Sequence, residues 1–251
     1  NTFSLTSSTT QIARGMDFKG VFNIQFVLYK DELYVIEINP RASRTVPIVS
    51  KVTGFSIIEQ TVNLLLGKTF ADLDMTHGVL KERPFYTVKS PIFSFSKLSA
   101  LDPILEAEMK STGELMSISD NLDEAFQKAF AWNEWEVPAL YSNKGVIYAD
   151  IADEKAKEFA PFKKEIESLG FTVVEKGKQD FALESDEAVA LISIQKDGHK
   201  AGKAERQLAL KHRLTVVTEL STLKRMLESL KVADTENVSI QSWLQMEVAK
   251  S

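Results

Sequence analysis

Alternating strand-like and helix-like segments in the second half of the chain constrain its fold more than any other feature. Short apolar segments rich in β-branched residues occupy 145–149, 172–175, 189–194 and 215–218. Amphipathic segments at 153–169, 204–211 and 221–230 separate them or follow them. Strands that alternate with helices pair side by side in the same direction. We therefore predict an α/β half with a parallel sheet, and a domain boundary near residue 138, where the pattern changes.

The first half contains a different pattern, typical of an antiparallel hairpin. Two segments of alternating polarity, 21–29 and 33–38, flank the turn-like Lys30-Asp31-Glu32. Placing their apolar residues on one buried face pairs residue 24 with 38, 26 with 36 and 28 with 34. A helix is predicted over 7–16, and another begins after Asn121, a favourable capping residue. This half is predicted to be α+β.

The same hairpin register gathers oxygen-bearing side chains. Gln25 falls opposite Glu37, and Asn39 follows Glu37 by two residues on the same face, which places the three within roughly 5 to 8 Å. Such oxygen donors suit Mg²⁺ or Mn²⁺. Arg41 and Arg44 follow, and guanidinium groups near a metal can stabilise a phosphoryl group in transfer. Spacing alone also allows solvated strand residues and surface ion pairs.

The composition excludes several classes of function. The chain has 30 basic and 35 acidic residues, a net charge of -5, which offers no footprint for nucleic acid or an anionic membrane. It has no cysteine, so disulfides, thiolate metal sites and cysteine nucleophiles are excluded. No apolar run approaches the roughly 18 residues of a membrane span. We predict a cytoplasmic protein with no nucleic-acid or membrane partner.

A longer motif identifies a family. The stretch Val35-Ile-Glu-Ile-Asn-Pro-Arg-Ala-Ser-Arg-Thr-Val-Pro-Ile-Val-Ser-Lys-Val-Thr-Gly54 resembles the second ATP-grasp half of carbamoyl-phosphate synthetase large subunits, and Gln25 in Phe22-Asn-Ile-Gln-Phe26 also matches. Similarity continues through 84–89, 93–97, 102–105 and 108–114. The resemblance covers roughly residues 11–135. It implies that residues 1–138 form the C-terminal part of an ATP-grasp domain, with antiparallel metal-binding strands and helices.

The resemblance also implies roles for these residues. The metal ligands of the family correspond to Gln25, Glu37 and Asn39, and Glu37 would bridge two ions. The nucleotide site corresponds to Gln25, Glu37 and Arg41. Arg41 and Arg44 correspond to catalytic arginines on the phosphates. The cofactors would be ATP and Mg²⁺ or Mn²⁺, with K⁺ as a further candidate.

The implied activity is ATP-dependent phosphorylation of carbamate by a glutamine-hydrolysing carbamoyl-phosphate synthase, for arginine or pyrimidine biosynthesis. The partners would be a glutaminase small subunit, the rest of the large subunit and small-molecule substrates. The chain alone is expected to be inactive, because no nucleotide-clamping lysines or glycine-rich loop precede the hairpin. Alternatives are an ATP-grasp ligase of the carboxylase type, a non-catalytic effector-binding fragment, or a purely structural segment.

Residues 139–251 are similar in position and pattern to the Rossmann-like, methylglyoxal-synthase-like regulatory domain of the family. Two of its effector loops differ here, as Glu175-Lys-Gly-Lys178 and Ser193-Ile-Gln195 replace Thr-His-Gly-Thr and Asn-Thr-Thr. Ser90 and Glu219 replace acidic and aromatic residues of the ornithine site. Lys176 and Lys178 are interpreted as solvated. We predict weak or absent control by uridylate, inosinate and ornithine, as suits an arginine-specific isoform.

Overall fold

The computed structural model describes residues 2–95, 101–106, 108–131, 140, 144–178, 180–196 and 201–232. The described residues divide into two compact units, one up to Pro84 and one from Phe85 onward. The predicted boundary near residue 138 lies outside the described residues, so the domain limits 1–138 and 139–251 stay a prediction. None of the described helices is long and apolar enough to cross a membrane.

The first unit is built around a two-stranded hairpin with helices before and after it. Both turn residues of the hairpin, Lys30 and Asp31, have left-handed backbone angles, with φ of 49° and 63°, as a tight two-residue hairpin loop requires. The predicted hairpin and the helix before it are therefore confirmed. The elements are α1 (Thr2–Gly15), β1 (Asn23–Tyr29), β2 (Glu32–Asn39), α2 (Thr45–Thr53), α3 (Ile57–Leu65) and a 3₁₀ turn at Ala71–Leu73.

The hairpin register is partly as predicted. Near the turn, Tyr29 pairs with Glu32, because the loop has two residues rather than the three expected. A bulge after Gln25 absorbs the one-residue difference, since a bulge places two residues of one strand opposite one of the other. The predicted pairs of 24 with 38 and 25 with 37 are confirmed, and those of 26 with 36 and 28 with 34 are wrong. The observed pairs there are Phe26 with Val35 and Leu28 with Leu33.

Burial of the hairpin also differs from the expectation. The predicted register placed the apolar side chains of both strands on one buried face, yet Leu28 is 53% exposed and Ile36 is 63% exposed. Ile36 is the residue that the bulge leaves without a partner. The expected burial is therefore wrong for Leu28, Tyr34 and Ile36, whereas Ile24, Phe26 and Ile38 are half-buried.

The second unit begins with an antiparallel pair and a helix that packs on it. These are β3 (Tyr86–Ile92), β4 (Gly113–Ser119) and α4 (Leu122–Ala131). The Asn121 side-chain oxygen accepts hydrogen bonds from the N–H groups of Asp123 (2.9 Å) and Glu124 (3.1 Å). This is an N-cap, which satisfies donors that a helix leaves without partners. The predicted start of this helix is confirmed.

A four-stranded parallel sheet completes the second unit and confirms the predicted parallel arrangement. Its strand order is β6-β5-β7-β8. Helices α5 and α7 contribute to one buried cluster and α6 to the other. Because both faces of the sheet are covered, β7 is apolar at every position except Ser193. The elements are β5 (Val146–Ile151), α5 (Ala156–Ser168), β6 (Thr172–Glu175), β7 (Ala188–Ile194), α6 (Lys203–Lys211), β8 (Thr215–Val217) and α7 (Leu220–Leu230).

Candidate active site and effector regions

The hairpin of the first unit brings the three predicted metal ligands to one face. Gln25 and Glu37 are direct cross-strand partners, and Asn39 lies two residues after Glu37, so the side chains project from the same side. The Asn39 amide nitrogen donates a 2.8 Å hydrogen bond to Glu37 Oε1. Gln25 and Glu37 are exposed. The bulge immediately follows Gln25, and such irregularities commonly aim side chains at functional sites.

Arg41 lies against this face, at the end of β2. Its guanidinium donates to Asn39 Oδ1 at 3.5 Å and to the Ala42 carbonyl at 3.2 Å. The Arg41 backbone N–H donates to the Asn39 carbonyl at 2.8 Å, which turns the chain sharply after the strand. Arg44 is the residue just before α2. The structure therefore brings Arg41 next to the predicted ligands and places Arg44 at the start of the following helix.

The donor set of this face fits a hard divalent cation. One carboxylate from Glu37 and amide oxygens from Gln25 and Asn39 are the type of ligand that Mg²⁺ and Mn²⁺ accept. Among the described residues, no group of three or more His, Cys, Asp or Glu side chains is placed to hold a metal. A set with a single carboxylate suits an ion whose remaining positions are taken by water and phosphate oxygens.

A cavity of about 520 Å³ lies in the second unit between β3, α4 and the start of α7. Ser90 and Glu219, which the sequence interpretation assigned to one altered effector site, both line it. Its walls are mostly apolar, and its charged lining residues are Lys89, Glu219 and Arg225. The aromatic wall residues are Phe93, Phe95, Phe126 and Phe130.

The cationic residues at this cavity have partners of their own. Lys89 Nζ lies 3.2 Å from Glu114 Oε1. Arg225 NH1 lies 2.7 Å from Glu228 Oε2, and its guanidinium stands 5.2 Å from the centre of the Phe126 ring. Two cationic side chains against the single carboxylate of Glu219 make the cavity poorly matched to a ligand with two ammonium groups.

The second candidate region lies where the strand order of the parallel sheet reverses, at the carboxyl ends of β5 and β7. Such a crevice is the usual ligand position in open α/β sheets. Here Lys176 Nζ lies 3.3 Å from Asp150 Oδ2 and 2.5 Å from Glu205 Oε1. We call the region formed by Asp150, Lys176, Ser193, Glu205 and Arg206 the sheet-edge crevice.

The lysines of residues 175–178 form ion pairs with carboxylates of the chain. Lys163 lies 2.6 Å and Lys178 2.5 Å from the Glu175 carboxylate. The hydrogen bond from Lys163, followed by that from Lys178, lowers the pKa of Glu175. In the sheet-edge crevice, the hydrogen bond from Lys176 lowers the pKa of Glu205. Lys176 and Lys178 nevertheless stay exposed, with side chains 41% and 68% exposed. They are surface lysines, as interpreted, and they also form ion pairs.

Sequence reasoning missed the most buried charge of this region, Arg206, whose side chain is 0% exposed. Its guanidinium donates to both carboxylate oxygens of Asp102, at 2.8 and 2.7 Å, and to the Ser193 hydroxyl at 3.0 Å. The signal available in the sequence was its position on α6, three and four residues before the buried Ala209 and Leu210. That spacing places all three residues on one helix face.

The first part of the chain matches a known protein family. Residues 2–73 match the family model described as carbamoyl-phosphate synthase L chain, ATP binding domain. The arginine-specific carbamoyl phosphate synthase large chain of Halalkalibacterium halodurans is 51% identical over 230 residues, which cover 91% of this chain and 22% of that protein.

Two other relatives give the same result at lower identity. The arginine-specific large chain of Geobacillus stearothermophilus is 38% identical, over 94% of this chain and 22% of its own length. The carbamoyl phosphate synthase large chain of Clostridium botulinum is 34% identical, over 88% and 23%. The chain spans about a fifth of the length of these relatives. It is thus homologous, over 91% of its length in the Halalkalibacterium comparison, to a segment of carbamoyl phosphate synthase large chains.

Proposed function

We propose that the chain is part of the large chain of a glutamine-hydrolysing carbamoyl-phosphate synthase and supplies the metal-binding end of its carbamate-phosphorylating ATP-grasp site. The observation that carries this proposal is the face formed by Gln25, Glu37 and Asn39, with Arg41 beside it. The match to the ATP binding domain of the family covers all of these residues, which supports ATP as the nucleotide.

In this proposal each side chain has a defined task. Gln25, Glu37 and Asn39 hold Mg²⁺ or Mn²⁺, which when bound neutralises phosphate charge. Arg41 lies close enough to these ligands to add positive charge on the same phosphates, and Arg44 contributes from the start of α2. The exposed position of Glu37 leaves this face open to the rest of the large chain, which would supply the nucleotide-clamping groups.

We assign the parallel sheet of the second unit to the regulatory, methylglyoxal-synthase-like domain and propose that its control is weakened. Lys176 and Lys178 form ion pairs with carboxylates of the chain itself. A phosphate would have to displace those carboxylates to bind the lysines. The cavity that Ser90 lines has mostly apolar walls and two cationic side chains, Lys89 and Arg225, beside one carboxylate, Glu219, which disfavours ornithine with its two ammonium groups. Two relatives are named arginine-specific, and we propose the same pathway here, with a glutaminase small subunit as partner.

The catalytic proposal is tested by Glu37→Gln in the full large chain that carries these residues, assembled with its small subunit. Ammonia-dependent formation of carbamoyl phosphate is expected to fall at least about 100-fold, as for loss of a group that stabilises transition-state charge. The matched control is Glu32→Gln at the turn end of the same hairpin, where Glu32 accepts a hydrogen bond from the Tyr34 hydroxyl. An active Glu37→Gln enzyme would overturn the metal assignment.

Regulation is tested separately on the same assembled enzyme. Titration with uridylate, inosinate and ornithine is expected to leave the rate unchanged. A strong response to uridylate would refute the proposed loss of control without affecting the catalytic assignment, which rests on the first unit alone.

A further inference from the structure

We propose that Arg206 forms an oxyanion-binding site in the sheet-edge crevice, and that the chain occupies this site with its own Asp102 carboxylate. The inference rests on the contacts of the second unit and does not depend on the proposed synthase function. The ligand class is a small carboxylate, because the two oxygens are held side by side by one planar guanidinium.

The site has the character of a built anion site. Arg206 is entirely buried and donates through all three nitrogens, to Asp102, to the Ser193 hydroxyl and to the Ala201 carbonyl at 2.6 Å. A buried guanidinium needs a compensating anion, since an unpaired charge in the protein interior is strongly destabilising. Asp102 supplies that anion, and it comes from a segment 104 residues earlier in the chain.

Asp102 lies on the loop between β3 and β4, and hydrogen bonds within this loop fix the position of its carboxylate. The Ile104 N–H donates to Asp102 Oδ1 at 3.3 Å. Lys110 Nζ donates to the Ile104 carbonyl at 2.6 Å and lies 3.1 Å from Glu106 Oε2. These contacts hold the carboxylate in position, so little side-chain freedom is lost when it meets Arg206.

Side chains of the chain itself also occupy the rest of the sheet-edge crevice. A Cβ atom at Gly202, the residue before α6, would lie only 2.4 Å from Asp150 Oδ2, so side chains crowd this backbone closely. Lys176 already bridges Asp150 and Glu205. With three carboxylates at the site and its cations paired, an external anion finds neither room nor free positive charge. Access therefore requires removal of the Asp102 carboxylate.

The test uses formate and the Asp102→Ala variant of the full 251-residue chain, because formate has the same atoms as the carboxylate that is removed. Formate is expected to raise the thermal midpoint of Asp102→Ala saturably, by about 4 °C or more relative to chloride at equal ionic strength, since a ligand that binds only the native state stabilises it. Wild type keeps its own carboxylate, and Asp102→Asn keeps the volume, so neither is expected to respond.

A second aspartate that pairs with an arginine at the surface provides the control. Asp123 lies 3.7 Å from Arg225 NH1 at the surface, and Asp123→Ala is expected to show no formate effect. If Asp102→Ala does not fold in chloride, formate must restore its native circular dichroism. Failure to restore it, or equal stabilisation of all variants by formate, would overturn the internal-ligand assignment.

Discussion

The two polar clusters of the molecule differ in how their charges are satisfied. On the hairpin of the first unit, Glu37 is exposed. Asn39 donates a hydrogen bond to Glu37, and Arg41 donates one to Asn39. In the sheet-edge crevice, Arg206 is entirely buried and each of its three guanidinium nitrogens donates a hydrogen bond. An open cluster is available to a ligand, whereas a closed one stabilises the fold. We therefore expect substitutions in the first to alter chemistry and substitutions in the second to alter stability.

Arg206→Met is expected to have the largest effect on stability. It leaves the Asp102 carboxylate, whose side chain is 12% exposed, without its guanidinium partner. Removing one member of a buried ion pair typically costs about 3–5 kcal/mol of unfolding free energy. Unfolding in guanidinium chloride, followed by circular dichroism, measures the change in unfolding free energy. A loss below about 1 kcal/mol would mean that the pair behaves as a surface salt bridge and that the contrast between the clusters fails.

A pair of leucines extends the comparison to apolar contacts. Leu191 on β7 is 0% exposed and Leu28 on the hairpin is 53% exposed. Leu191→Ala is expected to cost about 2–5 kcal/mol, through lost burial and the cavity left behind. Leu28→Ala is expected to stay within about 0.5 kcal/mol. Denaturant unfolding of both variants measures the difference, and similar losses would show that the hairpin face is buried in solution.

Acid pH offers a smaller and reversible perturbation of the closed cluster. Burial acts to raise the pKa of Asp102, but hydrogen bonds from Arg206 and the Ile104 N–H outweigh it and hold that pKa below its usual range. A carboxyl with a lowered pKa in the folded state stabilises the protein above its unfolded-state pKa, about 3.9, and loses this contribution as the pH falls through the folded value.

Comparison with Asp102→Asn isolates this contribution. The difference in unfolding free energy between wild type and variant is expected to be constant from neutral pH to about pH 5 and to shrink below about pH 4. Urea unfolding at a series of pH values measures it. A difference that persists unchanged to the lowest pH would assign the effect of Asp102 to packing instead of charge.

The elements of this fold were largely predictable because their signals are local. Strand and helix periods in the second half correctly predicted four parallel strands and three helices, and Asn121 correctly marked the start of α4. Between the bulge and the turn the predicted hairpin register is off by one residue, because Lys30 and Asp31 adopt left-handed angles and close a two-residue loop. Glycine and asparagine favour such angles, so the sequence held no clear sign of a two-residue loop.

The candidate sites were predictable only where their residues are close in the chain. Gln25 and Glu37 meet through one hairpin, and strand alternation was enough to pair them. Asp102 and Arg206 meet across 104 residues, and no periodicity reports such a contact. Ser90 and Glu219 were associated only through the family resemblance, and the structure places both at one cavity.

Among the ion pairs, the smallest effect is expected at Lys178, which pairs with Glu175 outside the sheet-edge crevice. Its side chain is 68% exposed, and Glu175 keeps a second partner in Lys163 at 2.6 Å. Lys178→Ala should therefore change the unfolding free energy by no more than about 0.5 kcal/mol, as for most exposed pairs. Lys176→Ala should cost more, because it removes a cation that lies within 3.3 Å of both the Asp150 and the Glu205 carboxylates. Denaturant unfolding ranks the two variants. Equal losses of unfolding free energy would show that neither the exposure of a lysine nor its number of carboxylate partners sets the strength of these ion pairs.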